Sequence, residues 1–301
     1  MHTKKKILVI LNPASGQKNP PVKKLNSAFS KAGYEWDLVM TKEFGDGCAL
    51  TKKAIDDGVN LVVAYGGDGT VMDVACGLQY SNVPLAILPG GTGNVLSAEL
   101  GIPHNFDAAL SLITHPARSR IRVIDIGNTN DEKFPGFALR ASVGLEANML
   151  EGTDREAKNK YGIFAYIMGG IQALRDIRES VYNLVLDNET VEVKGLSCLI
   201  ANAGAFGVPG LTLDPCISID DGLLDVFVFR KPDLLGLFSI AAGVVGGAEV
   251  KDPIQHWQVK NVRIEADPIQ STQADGEMWG KSPIEVEVAP EALHVIVPKD
   301  I

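Results

Sequence analysis

Long apolar runs are missing from the 301 residues of this chain, and that absence sets the first boundary on what it does. The most apolar stretch, Leu234 to Ala248, is shorter than the ~20 residues that span a bilayer, so it reads as a buried helix. Cysteine is scarce. Cys48, Cys76, Cys198 and Cys216 form no CxxC pair and have no close histidine in zinc-like spacing, so they read as free thiols in a reducing compartment. The histidines His2, His104, His115, His256 and His294 share no ligand-like spacing either. Trp36, Trp257 and Trp279 lie too far apart in sequence to suggest a stacking platform, and Trp279 reads as core packing. Positive charge is in deficit: 28 Lys and Arg stand against 37 Asp and Glu, a formal net charge of −9. General nucleic-acid binding rests on neutralising phosphates, which disfavours that function class. Strong adsorption to anionic membranes by bulk charge is disfavoured too. Met1 to Lys6 is basic but runs only into Ile7 to Leu11, too short for a signal peptide. The expected location is cytoplasmic, with transient peripheral contact at a membrane.

What is present is an alternating pattern. Strands are expected at Lys6–Leu11, Glu35–Met40, Asn60–Tyr65 and Val83–Leu88. Helices are expected between and after them at Pro21–Ala32, Asp46–Asp57, Thr70–Leu78, Asn94–Leu100 and Phe106–Ile113. Continuous apolar strands alternating with helices imply a parallel sheet covered on both faces, a three-layer α/β domain over residues 1–120. The character changes near Ser119. Strands are expected at Arg120–Gly127, Phe137–Gly144, Tyr182–Leu186, Leu196–Asn202, Leu224–Phe229, His256–Ala266, Pro283–Ala289 and Leu293–Val297. Helices at Tyr161–Arg178 and Asp233–Gly246 interrupt them, the latter with Asp233 as N-cap. Residues 121–301 therefore read as a β-rich second domain.

In an open parallel sheet, ligands bind beyond the carboxyl ends of the strands. Those ends carry Asn12-Pro13-Ala14-Ser15-Gly16, Thr41, Gly66-Gly67-Asp68-Gly69-Thr70 and Pro89-Gly90-Gly91-Thr92-Gly93-Asn94. All are small or hydroxylic. Phosphate oxygens need N–H donors, and backbone N–H groups approach them only where side chains are absent. A glycine turn entering a helix adds the positive end of the helix dipole. Thr41, Thr70 and Thr92 add hydroxyls. GxxxxGK[ST] and GxGxxG are both absent, so neither a P-loop nor a Rossmann site is indicated. Asp68 is the odd residue, because a carboxylate beside a triphosphate is repelled unless Mg²⁺, directly or through its waters, intervenes. A nucleotide hydroxyl would also satisfy it, as would a turn in which Asp68 bonds its own backbone.

These three motifs together, Asn12-Pro13-Ala14-Ser15-Gly16, Gly66-Gly67-Asp68-Gly69-Thr70 and Gly91-Thr92-Gly93-Asn94, resemble those of the diacylglycerol kinase catalytic family, within the NAD kinase-like superfamily. The likeness runs in order through nearly the whole chain. Val95 stands where diacylglycerol kinases commonly carry Asp after this Asn, a feature more reminiscent of the sphingosine and ceramide kinase branch. The resemblance implies an α/β domain joined to a C-terminal β-sandwich, with the last segment returning to the first domain. It implies ATP and Mg²⁺ as cofactors and a lipid drawn from a membrane as substrate; no nucleic-acid partner is expected from the charge balance, and the assembly is left open, a homodimer being one option. It implies that Asn12, Pro13, Ser15, Thr41, Gly66, Gly67, Asp68, Gly69, Thr70 and Thr92 hold the nucleotide, with Asp68 positioning the catalytic metal.

Two acidic clusters lie downstream. Ser218-Ile219-Asp220-Asp221-Gly222-Leu223 reads as a turn, and the resemblance implies a structural Mg²⁺ held by Asp221 with the carbonyls of Ser218 and Leu223. Ala274-Asp275-Gly276-Glu277 is a hairpin signal. The resemblance places it across the cleft, with Asp275 as general base and Glu277 as the close alternative. Apolar stretches at 163–174 and 234–248 are either core or an acyl-chain entrance. The function expected is phosphoryl transfer from ATP to a lipid hydroxyl, most readily of a diacylglycerol. The rivals are an NAD kinase-like or other small-molecule kinase and a non-catalytic nucleotide-binding protein.

Overall fold

A computed structural model describes residues 5–14, 21–129, 131, 134–144, 179–205, 213–230 and 255–299. The helices expected at 161–178 and 233–246, and with them both candidate acyl-chain stretches, lie outside the described residues.

The first half alternates β1 (Lys6–Leu11), α1 (Val22–Lys31), β2 (Glu35–Met40), α2 (Asp46–Asp56), β3 (Leu61–Gly66), α3 (Asp68–Leu78), β4 (Leu85–Pro89), α4 (Val95–Glu99) and α5 (Phe106–Thr114). Strands β2, β1, β3 and β4 lie side by side and all run parallel. Every residue of β3 and β4 is buried, which is why their sequences are apolar without alternation. Helix α1 buries only Leu25 and Phe29, four residues apart on one face, and leaves its lysines in water. Asn105 caps α5 by accepting the Ala108 N–H at 3.0 Å.

The second half holds β5 (Ser119–Thr129), β6 (Gly136–Phe137), β7 (Arg140–Gly144), β8 (Ser180–Leu186), β9 (Glu189–Gly195), β10 (Ser197–Ala201) and β11 (Leu224–Phe229). After these come β12 (Gln255–Val259), β13 (Asn261–Asp267), β14 (Ser271–Ala274), β15 (Glu277–Lys281) and β16 (Ile284–Pro298). The first sheet continues past β4 through β16, β13, β8 and β9. A second, antiparallel sheet has the order β12-β11-β10-β7-β14-β15. Tyr182, Leu184, Ile264 and Val286 of the first sheet pack with Val143, Ile200 and Val226 of the second, which makes a β-sandwich.

Strand β16 joins the two halves. Strand β5 follows it along one edge from Pro298 to Val286. The other edge therefore takes β13 near Ile284–Glu287 and β4 at Val295. The two strands expected at Pro283–Ala289 and Leu293–Val297 are thus one, and Pro290-Glu291 marks an irregularity of register inside it. The single strand expected at His256–Ala266 is β12 and β13, one in each sheet. The chain turns between them at Lys260 and Asn261, whose N–H groups both donate to Asp187 Oδ1, at 3.0 and 2.8 Å. The hairpin signalled at Asp275-Gly276 joins β14 to β15, whose arms are only a few residues each, while β9, polar on its exposed face, escaped the sequence reading.

Asp125 ties the junction. Its residue is 1% exposed, Oδ1 accepts the Glu291 N–H at 2.8 Å and Oδ2 accepts the Gly222 N–H at 2.7 Å. One carboxylate thus fastens β5 to the β16 irregularity and to the turn before β11. Asp125→Ala would bury two backbone donors without partners, a loss of about 2–4 kcal/mol. Urea unfolding should show a lower midpoint at unchanged slope.

Candidate functional site

The carboxyl ends of β1, β2, β3 and β4 bring the side-chain-poor segments to one edge of the sheet. At β1, the Asn12 N–H donates to the Tyr65 carbonyl at 3.3 Å, and its Oδ1 accepts the Ala14 N–H at 2.9 Å, an Asx turn across Pro13. Ser15 lies outside the described residues. At β2, the buried Thr41 donates its N–H to Leu11 O at 2.9 Å, which seats the loop against the neighbouring strand. Asp46 then gathers the N–H groups of Lys42 and Glu43, and these two hydrogen bonds hold its carboxyl below the usual range.

The turns after β3 and β4 are in direct contact. Gly90 donates its N–H to Gly66 O at 2.8 Å. A Cβ on Gly91 would fall 2.5 Å from the Gly67 Cα, and one on Gly66 would fall 2.5 Å from Thr70 Oγ1. Glycine is therefore required at 66 and 91 by the fold itself. Gly69 differs: a Cβ there would meet nothing within 4 Å. Asn94, buried and in the left-handed region at φ 49°, closes the second turn on itself. Its Oδ1 accepts the Gly91 N–H at 3.0 Å and its Nδ2 donates to Gly91 O at 2.7 Å. Thr70 is buried and Thr92 is exposed.

Asp68 buckles the two turns together. It opens α3, and its Oδ2 and Oδ1 accept the N–H groups of Val95 and Leu96, each at 3.0 Å, at the start of α4. The carboxylate thus satisfies two of the donors that a helix start leaves unpaired. The repulsion argument that called for a metal at Asp68 therefore has a second answer, in which the negative charge is balanced by backbone N–H groups.

Across from these turns stands the β14–β15 hairpin. Asp275 is left-handed at φ 46° and Gly276 at φ 85°, as a tight turn needs. Asp275 Oδ1 accepts the Leu139 and Arg140 N–H groups at 3.0 and 2.9 Å, and Oδ2 accepts that of Ala138 at 2.8 Å. These bonds favour the charged form, yet desolvation outweighs them and the carboxyl is pushed up to about 6. The Asp68 charge adds to that rise, so the two carboxylates sense each other across the gap. Glu277 is exposed at the head of β15.

The Ser218–Leu223 turn lies at the junction, held to β5 through Asp125 and Arg122. Arg122 pairs with Asp220 through two bonds, at 2.8 and 3.0 Å, and the Ser218 hydroxyl donates to Asp220 at 2.7 Å. Asp221 Oδ1 accepts the Leu223 N–H at 3.0 Å. Its carboxyl is raised by desolvation, then by the charges of Asp225, Asp125 and Asp220. Among the described residues no three or more His, Cys, Asp or Glu side chains cluster to form a metal cage. With no carboxylate cage around it, Asp221 would suit at most an ion that keeps most of its own waters, as Mg²⁺ does.

Several contributors had no sequence signal. Phe44, Phe134 and Trp279 stack in turn, with ring centroids 6.5 and 6.0 Å apart, and Trp279 Nε1 donates to Asp131 Oδ2 at 3.3 Å. Trp279 packs against the sandwich core, as expected, and also joins an aromatic ladder that crosses between the lobes. Asn202 is fully buried and donates to Asp125 O and Ala138 O, at 3.0 and 2.8 Å. Glu99 on α4 accepts the Ala205 N–H at 2.8 Å. Among the described residues, no helix is long and apolar enough to cross a membrane.

Comparison with known proteins agrees with this geometry. The diacylglycerol kinase catalytic domain matches residues 6–128, and the YegS C-terminal NAD kinase beta sandwich-like domain matches residues 140–297. An uncharacterised protein of Synechocystis sp. is 34% identical over 80% of this chain, which spans only 56% of that protein. A diacylglycerol kinase of Bacillus subtilis is 28% identical over 98% of this chain and 97% of its own. The crystal structure of a diacylglycerol kinase from Bacillus anthracis shares the fold at a TM-score of 0.77, with 24% identity and 99% and 98% of the two chains covered. With both of its halves matched in order, and with the paired glycine turns, the sandwich and the shared β16 in place, the chain belongs to the diacylglycerol kinase catalytic family.

Proposed function

We propose that this protein transfers the γ-phosphoryl group of ATP to the hydroxyl of a membrane-derived lipid, a diacylglycerol or a close relative of one. The observation that carries the proposal is Gly69. The fold leaves open space where its side chain would be, so glycine there answers to a ligand rather than to packing. Backbone N–H groups at the start of α3 then reach phosphate oxygens unobstructed, aided by the helix dipole. Asn12, Pro13, Thr41, Gly66, Gly67, Thr70 and Thr92 border the same edge and would orient the chain of phosphates. Ser15 joins them by its place in the first motif.

Asp275 is the proposed general base. It is fixed by its backbone donors, and Oδ2 receives only one of them, which leaves a lone pair for a substrate hydroxyl. A carboxyl near 6 is a better base than an ordinary aspartate and remains ionised at neutral pH. Glu277, exposed beside it, is placed by this reading at the mouth of the cleft. Mg²⁺ would supply charge neutralisation on the phosphates. A structural ion would rest on Asp221 with the carbonyls of Ser218 and Leu223. Positioning and charge stabilisation account for most of the rate in such transfers. The proposed setting is the cytoplasm at the membrane face. A homodimer is the proposed assembly.

The test is phosphate transfer from labelled ATP, with magnesium, to diacylglycerol, sphingosine and ceramide in mixed micelles, with NAD as control. A lipid phosphomonoester and ADP are expected; transfer to NAD alone would sink the proposal. Gly69→Ala should weaken nucleotide binding by roughly tenfold or more while leaving stability level or up to ~1 kcal/mol higher. Gly91→Ala should destabilise by about 1–3 kcal/mol because the Gly67 backbone must move. Calorimetric titration and urea melts separate the two variants.

The base form of Asp275 is the ionised one, so kcat/KM should fall as pH drops through about 6. Glu277→Gln should keep that inflection. Asp275→Asn should abolish it and cost about 10²–10⁴-fold in rate. An inflection lost in Glu277→Gln instead would transfer the role to Glu277.

A further inference from the structure

Helices α2 and α3 run side by side, and each bears a cysteine on the shared face. Cys48 lies in the first turn of α2 and Cys76 in the last turns of α3, both half-buried. Each thiol is the largest single influence on the ionisation of the other, so the two side chains face one another between the helices. The backbones are held together at this point. A Cβ on Gly77 would fall 2.7 Å from the Cys48 carbonyl oxygen and 2.6 Å from the Thr51 Cβ. Asp73 of α3 accepts the Gly47 and Cys48 N–H groups, at 2.8 and 3.2 Å, at the start of α2. We propose that Cys48 and Cys76 form a redox-active dithiol, oxidised by hydroperoxides to a disulfide that staples α2 to α3.

The two sulfurs are prepared for different parts of that reaction. Cys48 is brought down to about 7 by the Cys76 S–H donor and then by the Lys52 ammonium, so a large share is thiolate at neutral pH. The N-terminal turn of α2 favours the same charge. Cys76 is raised by donating that hydrogen bond and by burial, so it stays a protonated partner. The other thiols lack the arrangement. Cys198 is fully buried and pushed up by desolvation, and the exposed Cys216 is pushed up by Asp214.

The chemistry balances with the peroxide as the only added reagent. The Cys48 thiolate attacks one peroxide oxygen, the O–O bond breaks, and the departing oxygen takes a proton and leaves as water or an alcohol. Cys48 becomes a sulfenic acid. The Cys76 sulfur then attacks the Cys48 sulfur, and the displaced hydroxide takes the Cys76 proton and leaves as water. Two thiols lose two electrons and the peroxide gains them. A sulfur–sulfur bond of ~2.05 Å would form where the two helices already pack closely, at Gly77 against the Cys48 carbonyl. The staple would join the helix that follows the Thr41 loop to the helix that begins at Asp68.

The test treats the reduced protein with stoichiometric hydrogen peroxide, blocks remaining thiols with iodoacetamide and maps peptides without reduction. A peptide linking Cys48 to Cys76, two hydrogens lighter than the pair, is expected in wild type and in Cys216→Ser. It should be absent from Cys48→Ser and Cys76→Ser. Circular dichroism melts confirm that these variants fold. In a second readout, the rate of Cys48 alkylation against pH should inflect near 7 and shift upward in Cys76→Ala. Recovery of both cysteines as alkylated thiols after peroxide, or oxidation confined to Cys216, would overturn the proposal. So would Cys48 alkylation with no inflection near 7.

Discussion

A single carboxylate, that of Asp68, holds the two glycine turns in register, and the site exists only while that register is kept. Asp68 stands at the first position of α3 and accepts two N–H groups from the start of α4. It is therefore an anion shared between two helix N-termini, where the dipoles favour it. With the turns so fixed, Gly67 and Gly91 lie in backbone contact and Asn94 can close its own loop against Gly91. Remove the charge and two helix-start donors lose their partner at the edge where phosphates would bind. The residue that looked in sequence like an anomaly beside an anionic ligand is first a part of the frame.

The opposite wall works against stability. A carboxyl whose folded value is raised is bound to its proton more tightly in the folded state than in the unfolded one. Asp275 therefore lowers stability as pH rises from the ordinary aspartate range through about 6, and the loss is complete above that. Three backbone N–H groups reduce the loss without removing it. On the proposed reading this cost is what a functional carboxylate carries, and the Asp68 charge adds to it.

The parallel half of the fold was legible because buried strands such as β3 and β4 leave continuous apolar runs, and because their helices repeat every three or four residues. Residues at the ends of those strands were legible for the same reason. The sandwich was harder. Asp187 turns one apparent strand into β12 and β13, and the irregularity near Glu291 looks in sequence like a strand end. Neither the aromatic stack of Phe44, Phe134 and Trp279 nor the buried knot of Asp125 and Asn202 had a local pattern, since their members are scattered along the chain. Long-range side-chain constellations leave no periodicity to read.

The two halves are not independent bodies meeting at a linker. Strand β16 carries β13 of the sandwich and β4 of the α/β half on one edge and β5 along the other. The glycine turns lie on the first sheet and the Asp275 hairpin on the second, so the distance between them depends on the register of β16 and on the packing of the two sheets against each other. A one-residue slip of β16 would turn every inward side chain outward and break both cores at once. Asp125, bonded to Glu291 and Gly222, sits at the point where such a slip would start. Relative movement of the glycine turns and the hairpin would then come from the elements hung on that frame. Among the described residues, the link from α4 to Ala205 through Glu99 and the aromatic stack from Phe44 to Trp279 are contacts of this kind.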